Sequence, residues 1–215
     1  KSLAAYRTLP LGYHRVLVLA TVGCPLDHIT LAQLASVFGA ALSGGGAARW
    51  SELGVADEWA GAAVGTLVPE VGTGIAVEYF RQAVLGGRDF RANVVRFADA
   101  RALAAGLVAE HRSLALAAGV PPGAGHLKVL AVAAGAKSPA VAPTLENLQA
   151  GTYPLQLSLQ FVFKPERLAA LGVVLEFLHS DDAARWLERV DIVTLPAAVR
   201  SGQLRALASE RVETK

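Results

Sequence analysis

Apolar positions along the chain follow two kinds of pattern, and the two kinds succeed one another from end to end. Near-continuous aliphatic runs at residues 13–21 and 126–134 are typical of strands that are covered on both faces. Strict alternation over residues 155–163 predicts a strand with one apolar face, and the leucine spacing over residues 168–178 predicts a helix. Because strands and helices interleave, the pattern predicts the α/β class.

Three helices have clear start signals. Thr30 and Gln33 have the spacing of a capping box, in which each side chain accepts a hydrogen bond from a backbone N–H at the helix start. Asp99 is expected to open a helix at about residues 99–111. Ser180 is expected to open another, with two aspartates in its first turn.

The stretch VPEVGTGIAVEYF, residues 68–80, predicts a strand that passes through a glycine turn into a helix. The free backbone N–H groups at such a helix start can bind an anion. No Lys or Arg lies between Trp50 and Arg81, where a charged partner for the anion is expected. Two interpretations therefore stay open, an anion site and a tight strand-to-helix turn with Thr73 as its N-cap.

Composition and charge exclude several classes of protein. The chain has 215 residues, of which 53% are hydrophobic and 18% charged, so we expect a packed globular protein rather than a disordered one. The net charge is only +2, and nucleic-acid binding needs a clustered basic face. The densest basic stretch is interrupted by Asp and Glu, which predicts a solvated helix face; its arginines are Arg91, Arg96, Arg101 and Arg112.

No constellation of catalytic or metal-binding residues stands out. The chain has no HExxH, paired Cys-x-x-Cys, GxSxG or Walker motif, and its five histidines are isolated from one another. The single cysteine, Cys24, excludes an internal disulfide and is expected to be a small buried apolar residue. No apolar run approaches the roughly 18 residues that span a membrane. We predict no catalytic residue, no metal and no cofactor.

Four segments resemble, in the same order, segments of the periplasmic phosphate-binding proteins of ABC importers. They begin with ITLAQLASVF, TGIAVEYF, APTLENL and LEFLHSDD, and they cover residues 29–54, 73–90, 142–163 and 175–196. Four matches in one order are more specific than any one of them. By this resemblance the chain is identified as a member of the type 2 periplasmic-binding-protein-like superfamily.

The resemblance implies an α/β fold of two lobes that are joined by two crossing strands and close on an oxyanion. Residues 13–22 and 154–164 would be the crossing pair, antiparallel to each other. Residues 1–25 with 153–215 would form the first lobe and hinge, and residues 26–152 the second lobe.

The resemblance also implies that the first lobe is incomplete. The family's opening strand–helix–strand portion has no counterpart here, and the chain contains no Met and begins at Lys1, so we expect a segment to have been removed upstream. The implied location is periplasmic or extracellular, with the export signal outside this chain. The implied partners are an importer membrane subunit, or another protein that covers the incomplete lobe, and not nucleic acid.

The family's ligand-binding turn corresponds to Gly72, Thr73, Gly74 and Ile75. Where the family has Ser-Gly-Thr, this chain has Thr-Gly-Ile, so one hydroxyl is lost. Pro69 stands where the family usually carries an arginine that grips the ligand. Losing such a charge-assisted contact removes about 1.5–3 kcal/mol, or roughly tenfold to a hundredfold in affinity.

Two functions remain open from the sequence. The first is an extracytoplasmic solute-binding protein that takes inorganic phosphate or a similar oxyanion without catalysis, with binding that is weak or lost. The alternative is a degenerate binding-protein-fold module with a structural or protein-interaction role and no small ligand.

Overall fold

The computed structural model describes residues 5–40, 48–70, 74–121 and 123–213, with side chains described as far as residue 209. The chain divides into two compact units. Unit 1 consists of Lys1–His14 and Leu157–Lys215, and unit 2 of Arg15–Gln156.

Strands and helices alternate along the described residues, as the apolar pattern predicts. The strands are β1 (Arg7–Arg15), β2 (Leu17–Thr21), β3 (His28–Thr30), β4 (Gly65–Pro69), β5 (Val95–Phe97), β6 (Ser113–Ala117), β7 (Leu127–Ala133), β8 (Ala140–Val141), β9 (Gln156–Phe163) and β10 (Val193–Thr194). The helices are α1 (Leu31–Phe38), α2 (Ile75–Ala83), α3 (Ala100–Ala109), α4 (Leu145–Gln149), α5 (Gly172–Leu178), α6 (Asp181–Glu188) and α7 (Ala197–Glu213). Short 3-10 helices span Trp50–Leu53 and Pro165–Arg167. In the described part of the chain, no helix combines the length and the apolar character that a membrane span requires.

Unit 2 is built on a seven-stranded mixed sheet. Its strand order is β3-β7-β2-β6-β4-β5, and β8 pairs with β7. β2 lies between antiparallel neighbours, β6 and β7, whereas β4 lies between parallel neighbours, β5 and β6. Both strands are therefore interior to the sheet, which accounts for their continuous aliphatic sequences.

One face of this sheet is covered by α3. Leu103 and Leu107 of the helix pack on Leu17 and Leu19 of β2 and on Leu67 of β4, and all five side chains are buried. Near the 3-10 helix Trp50–Leu53, Trp50 and Trp59 pack edge to face with ring centroids 4.8 Å apart.

Unit 1 is smaller and has a three-stranded sheet in the order β10-β1-β9. Its core is a cluster of apolar side chains from the sheet and the helices that follow it: Leu9, Phe163, Leu168, Leu175 and Leu207. Gly12 lets β1 approach β10 closely, because a Cβ there would stand 2.7 Å from the carbonyl oxygen of Val193.

The predicted helix starts are confirmed. Thr30 and Gln33 form the capping box of α1, with both reciprocal hydrogen bonds present. The Asp99 carboxylate accepts from the backbone N–H of Ala102 at 2.7 Å, and Ser180 caps α6 in the same way. Each capping hydrogen bond joins residues three positions apart, so these helix starts can be predicted without knowledge of the surrounding fold.

Residues 13–21 do not form one strand, contrary to the prediction from their aliphatic run. The run is interrupted at Val16, whose N–H donates to the carbonyl oxygen of Leu155 at 2.9 Å. The carbonyl oxygen of Val16 accepts from the Tyr153 hydroxyl at 2.6 Å. β1 thus belongs to the small sheet and β2 to the large one, because the backbone groups of Val16 bond outside both ladders.

The predicted crossing pair is therefore only partly correct. β1 and β9 are neighbours in the three-stranded sheet, but β2 pairs with β6 and β7 instead. Leu17 and Leu19 are buried as expected, whereas Leu157, on the edge strand β9, is 37% exposed.

The two units meet in sequence at His14–Arg15 and at Gln156–Leu157. The predicted lobes, residues 1–25 with 153–215 and residues 26–152, place β2 in the first lobe, but β2 lies inside the large sheet. The assignment of these two lobes stays a prediction.

The packing of α3 can be tested with two adjacent residues. Leu107 is fully buried and Val108 is 48% exposed. Leu107→Ala should lower the free energy of unfolding by about 2–5 kcal/mol, because it leaves a cavity under the helix. Val108→Ala, the matched control, should change it by less than about 0.5 kcal/mol. Urea unfolding followed by circular dichroism measures both, and equal losses would show that α3 does not pack on the sheet in this way.

Candidate functional site

The four residues predicted to bind the ligand lie at or before the start of α2. Gly72 and Thr73 are outside the described residues. Gly74 is the N-cap residue of α2, with an extended backbone and no side-chain capping bond. Ile75 is the first helical residue and is 43% exposed. The interpretation with Thr73 as N-cap is wrong, because the helix starts one residue later.

The position of this helix start follows from the sheet. β4 ends at Pro69 and is paired in parallel on both sides, with β5 and β6. In open α/β sheets, ligands bind outside the carboxyl ends of parallel strands. A Cβ built on Gly74 would meet no atom within 4 Å, so the space beside this backbone is open. The start of α2 is thus accessible to a ligand at the edge where such sheets bind one.

Phe80 fixes α2 against the rest of unit 2. Its side chain is fully buried and packs edge to face on Phe38, with centroids 5.4 Å apart, and stacks on Phe90 at 6.0 Å. The Tyr79 hydroxyl donates to the carbonyl oxygen of Gln156 at 2.6 Å, and burial raises the pKa of this tyrosine. These contacts hold the helix start in one position relative to Phe90.

A cavity of about 320 Å³ opens beside Gly74. Val77 and Phe90 supply its apolar lining. The remaining lining side chains are two acidic residues, Glu78 and Asp89, and two arginines, Arg81 and Arg96. The cavity therefore brings together groups that could hold an anion and groups that would repel one.

Arg81 is already engaged by the protein. Its Nε and Nη2 donate to the two carboxylate oxygens of Glu78 at 2.8 and 2.7 Å, and its Nη1 donates to the carbonyl oxygen of Gly87. The pKa of Glu78 is lowered to about 2, mostly by the hydrogen bonds from Arg81 and to a smaller extent by the one from Gln82. Gly86 and Gly87 both have positive φ, which forms the turn that brings this carbonyl back to Arg81.

Arg96 is in a different situation. It lies on β5 in parallel register with Val68, next to the end of β4. A Cβ on Gly106 of α3 would clash with the ring of Phe97, so that ring lies against the helix. Because side chains alternate along a strand, Arg96 points to the other face. Its guanidinium carbon lies 5.6 Å from the centroid of the Phe90 ring.

Among the described residues, Arg96 makes no hydrogen bond and no ion pair, and its guanidinium contacts the Phe90 ring. The sequence predicts it on one solvated helix face with three other arginines, and this is wrong. Arg96 is exposed but lies on a strand, and Arg91 donates to the carbonyl oxygen of Ser36. The short apolar run around it, NVVRF, is the signal that could have identified the strand.

Other candidate groups show no sign of chemistry. Cys24 is buried, and burial raises the pKa of its thiol, so it is not an activated nucleophile. Within the described residues, no three or more His, Cys, Asp or Glu side chains are grouped so that they could hold a metal ion. His179 is buried, with its ring nitrogens bonded to the Leu175 carbonyl and to Gln203.

Comparison with known structures identifies the fold. A possible phosphate-binding protein from Planctomyces limnophilus matches with a TM-score of 0.78 at 19% identity, over 95% of this chain and 72% of that chain. The chain has the fold of the phosphate-binding proteins of ABC transporters. No protein-family model matches the sequence, and no curated protein matches it.

Two further structures agree with this fold. PstS from Borrelia burgdorferi matches with a TM-score of 0.68 at 14% identity, over 89% of this chain and 73% of that chain. An ABC-type phosphate transport receptor from Vibrio cholerae matches with a TM-score of 0.65 at 14% identity, over 90% of this chain and 74% of that chain. The predicted α/β periplasmic-binding-protein-like class is thus confirmed. Part of each of these three neighbouring structures has no counterpart in this chain.

The ion pair at the cavity predicts an unusual titration. The carboxyl group of Glu78 should titrate near pH 2 in the native protein, and in Arg81→Gln its pKa should move towards the ordinary value of about 4.3. The pair therefore stabilises the native state above about pH 4.3, and this contribution is lost as the pH falls through the folded pKa. Carboxyl carbon shifts in NMR titrations measure both values at low and high salt. An ordinary pKa for Glu78 in the wild type would show that the pair does not form in solution.

Proposed function

We propose that this protein is an extracytoplasmic solute-binding protein, that it binds a phosphate-type oxyanion at the start of α2, and that it carries out no reaction. The observation that carries the proposal is the open helix start at the carboxyl end of β4, beside a cavity that contains arginines. The fold supports it, because the structural neighbours are described as phosphate-binding proteins and phosphate transport receptors.

The helix start offers what an oxyanion needs. The first N–H groups of α2 have no partner within the helix, and the positive end of the helix dipole favours negative charge. Gly74 has no side chain that could block their approach, and no side chain of the N-cap residue occupies them. In this proposal Gly72 and Thr73 complete the turn, with the Thr73 hydroxyl as a further donor.

The same site is expected to bind weakly. Pro69 has neither a guanidinium nor a backbone N–H, and Ile75 presents an apolar side chain where a hydroxyl would help. The negative charge of Glu78 lies in the first turn of the helix, and it repels an anion that enters the cavity. We therefore expect phosphate to bind in the micromolar to millimolar range rather than below it.

As a solute-binding protein, the chain would work outside the cytoplasm and deliver its ligand to the membrane subunit of an importer. Both statements belong to the proposal. Their support is the fold, since neighbours include receptors of ABC-type phosphate transport.

Calorimetric titration with inorganic phosphate, sulfate and molybdate tests this function. Phosphate should release heat with a dissociation constant between about 1 μM and 1 mM. At a hundredfold excess over that constant, it should stabilise the native state by about 2.7 kcal/mol and raise the melting temperature. Sodium chloride at matched ionic strength is the control for screening. If millimolar phosphate, sulfate and molybdate produce no heat and no thermal shift, oxyanion binding is excluded.

A second function, an interaction module, is favoured by one observation. Apolar side chains on two successive helices of unit 1 are exposed: Val173 at 81%, Phe177 at 61% and Trp186 at 62%. Large exposed apolar side chains of this kind are frequent where a protein binds a partner. The module would bind another protein with α5 and α6, and no small ligand.

Light scattering after size exclusion tests whether α5 and α6 bind a second copy of this chain. An interaction module should self-associate as its concentration rises, and Phe177→Ser with Trp186→Ser should reduce this association. Val199→Ser, at a 42% exposed position on α7, is the control substitution. A mass that stays at the monomer value of 22.3 kDa at every concentration would contradict self-association through these helices.

A further inference from the structure

The two arginines of the cavity beside Gly74 differ in what they can offer a ligand. The Nε and both terminal nitrogens of Arg81 already donate to Glu78 and Gly87. The guanidinium carbon of Arg96 lies over the Phe90 ring, 5.6 Å from its centroid, and in the described part of the chain Arg96 has no carboxylate or carbonyl partner. Its donors are therefore available to the cavity.

From this difference, and resting on the proposed function, we propose that Arg96 is the residue that holds the oxyanion, and that Glu78 weakens binding by occupying Arg81. Arg96 would thus supply, from the neighbouring strand, the guanidinium that Pro69 cannot supply from β4. The parallel register brings Arg96 to the end of β4, because Arg96 pairs with Val68, the residue directly before Pro69.

The Phe90 ring prepares Arg96 for this role. A guanidinium held over an aromatic ring loses part of its conformational freedom before a ligand arrives. Phe90 is itself stacked on the buried Phe80 of α2. The positions of Arg96 and of the α2 start are therefore linked through two rings, so both groups can bind one ligand in a fixed geometry.

Glu78 explains why the cavity is not strongly cationic. Its bidentate pair with Arg81 cancels one positive charge, and Asp89 lies at the same cavity. An anion that enters has to bind Arg96 against this background. Removing the carboxylate of Glu78 removes a repulsive charge and releases a second guanidinium.

Calorimetric titration of the full chain with inorganic phosphate tests the inference on three variants. Arg96→Gln should weaken binding roughly tenfold to a hundredfold. Arg101→Gln is the control, because Arg101 is an exposed arginine of α3 outside the cavity lining. It should leave the affinity within about twofold. Glu78→Gln should strengthen binding about two- to fivefold, a gain that a purely structural role of these residues would not produce.

Thermal melts of each variant without ligand confirm that it folds. Arg96→Lys is a second variant at the site, which keeps the positive charge but loses the planar guanidinium. Phosphate binding that is unchanged in Arg96→Gln would overturn this inference and leave the proposed function standing. Binding that is absent from the wild type but present in Glu78→Gln would support it. Absence of binding in both proteins would overturn the inference together with oxyanion binding.

Discussion

The parallel pairing of β4 with both of its neighbours is the constraint on which the candidate site depends. Parallel strands end at the same edge of a sheet, so the last residues of β4 and β5 meet there. This brings Gly74 and Arg96 to one cavity although the chain between them runs through a helix and a loop. The packing of α3 on Leu67 and Phe97 holds the pairing in place.

The charges at this edge balance one another. Arg81 and Glu78 neutralise each other in an ion pair that forms without a ligand. Both side chains are partly exposed, at 29% and 56%, so water and salt screen their charges. The proposed site therefore has few positive charges to offer an anion, and Pro69 adds none. The chain thus has the fold of phosphate-binding proteins, with a cavity in which acidic and basic side chains are balanced.

Unit 1 differs from unit 2 in how well its elements are covered. The seven-stranded sheet buries most residues of its interior strands β2, β4 and β6, whereas in the three-stranded sheet β9 is an edge strand with exposed Leu157 and Val162. An edge strand presents unpaired backbone groups that other chains can bind. The exposed side chains of α5 and α6 lie in the same unit. The features that favour an interaction module are thus concentrated in unit 1, and those that favour ligand binding in unit 2.

The sequence by itself determined the α/β class and the capped starts of α1, α3 and α6. Each of these depends on residues within a few positions of one another, so short-range hydrogen bonding and side-chain periodicity are enough. Only the tertiary structure decided that the aliphatic run 13–21 breaks at Val16, because the break depends on hydrogen bonds to Leu155 and Tyr153, far away in sequence. It also decided that Arg96 lines the cavity, since strand pairing between distant segments leaves no periodic signal in the residues themselves.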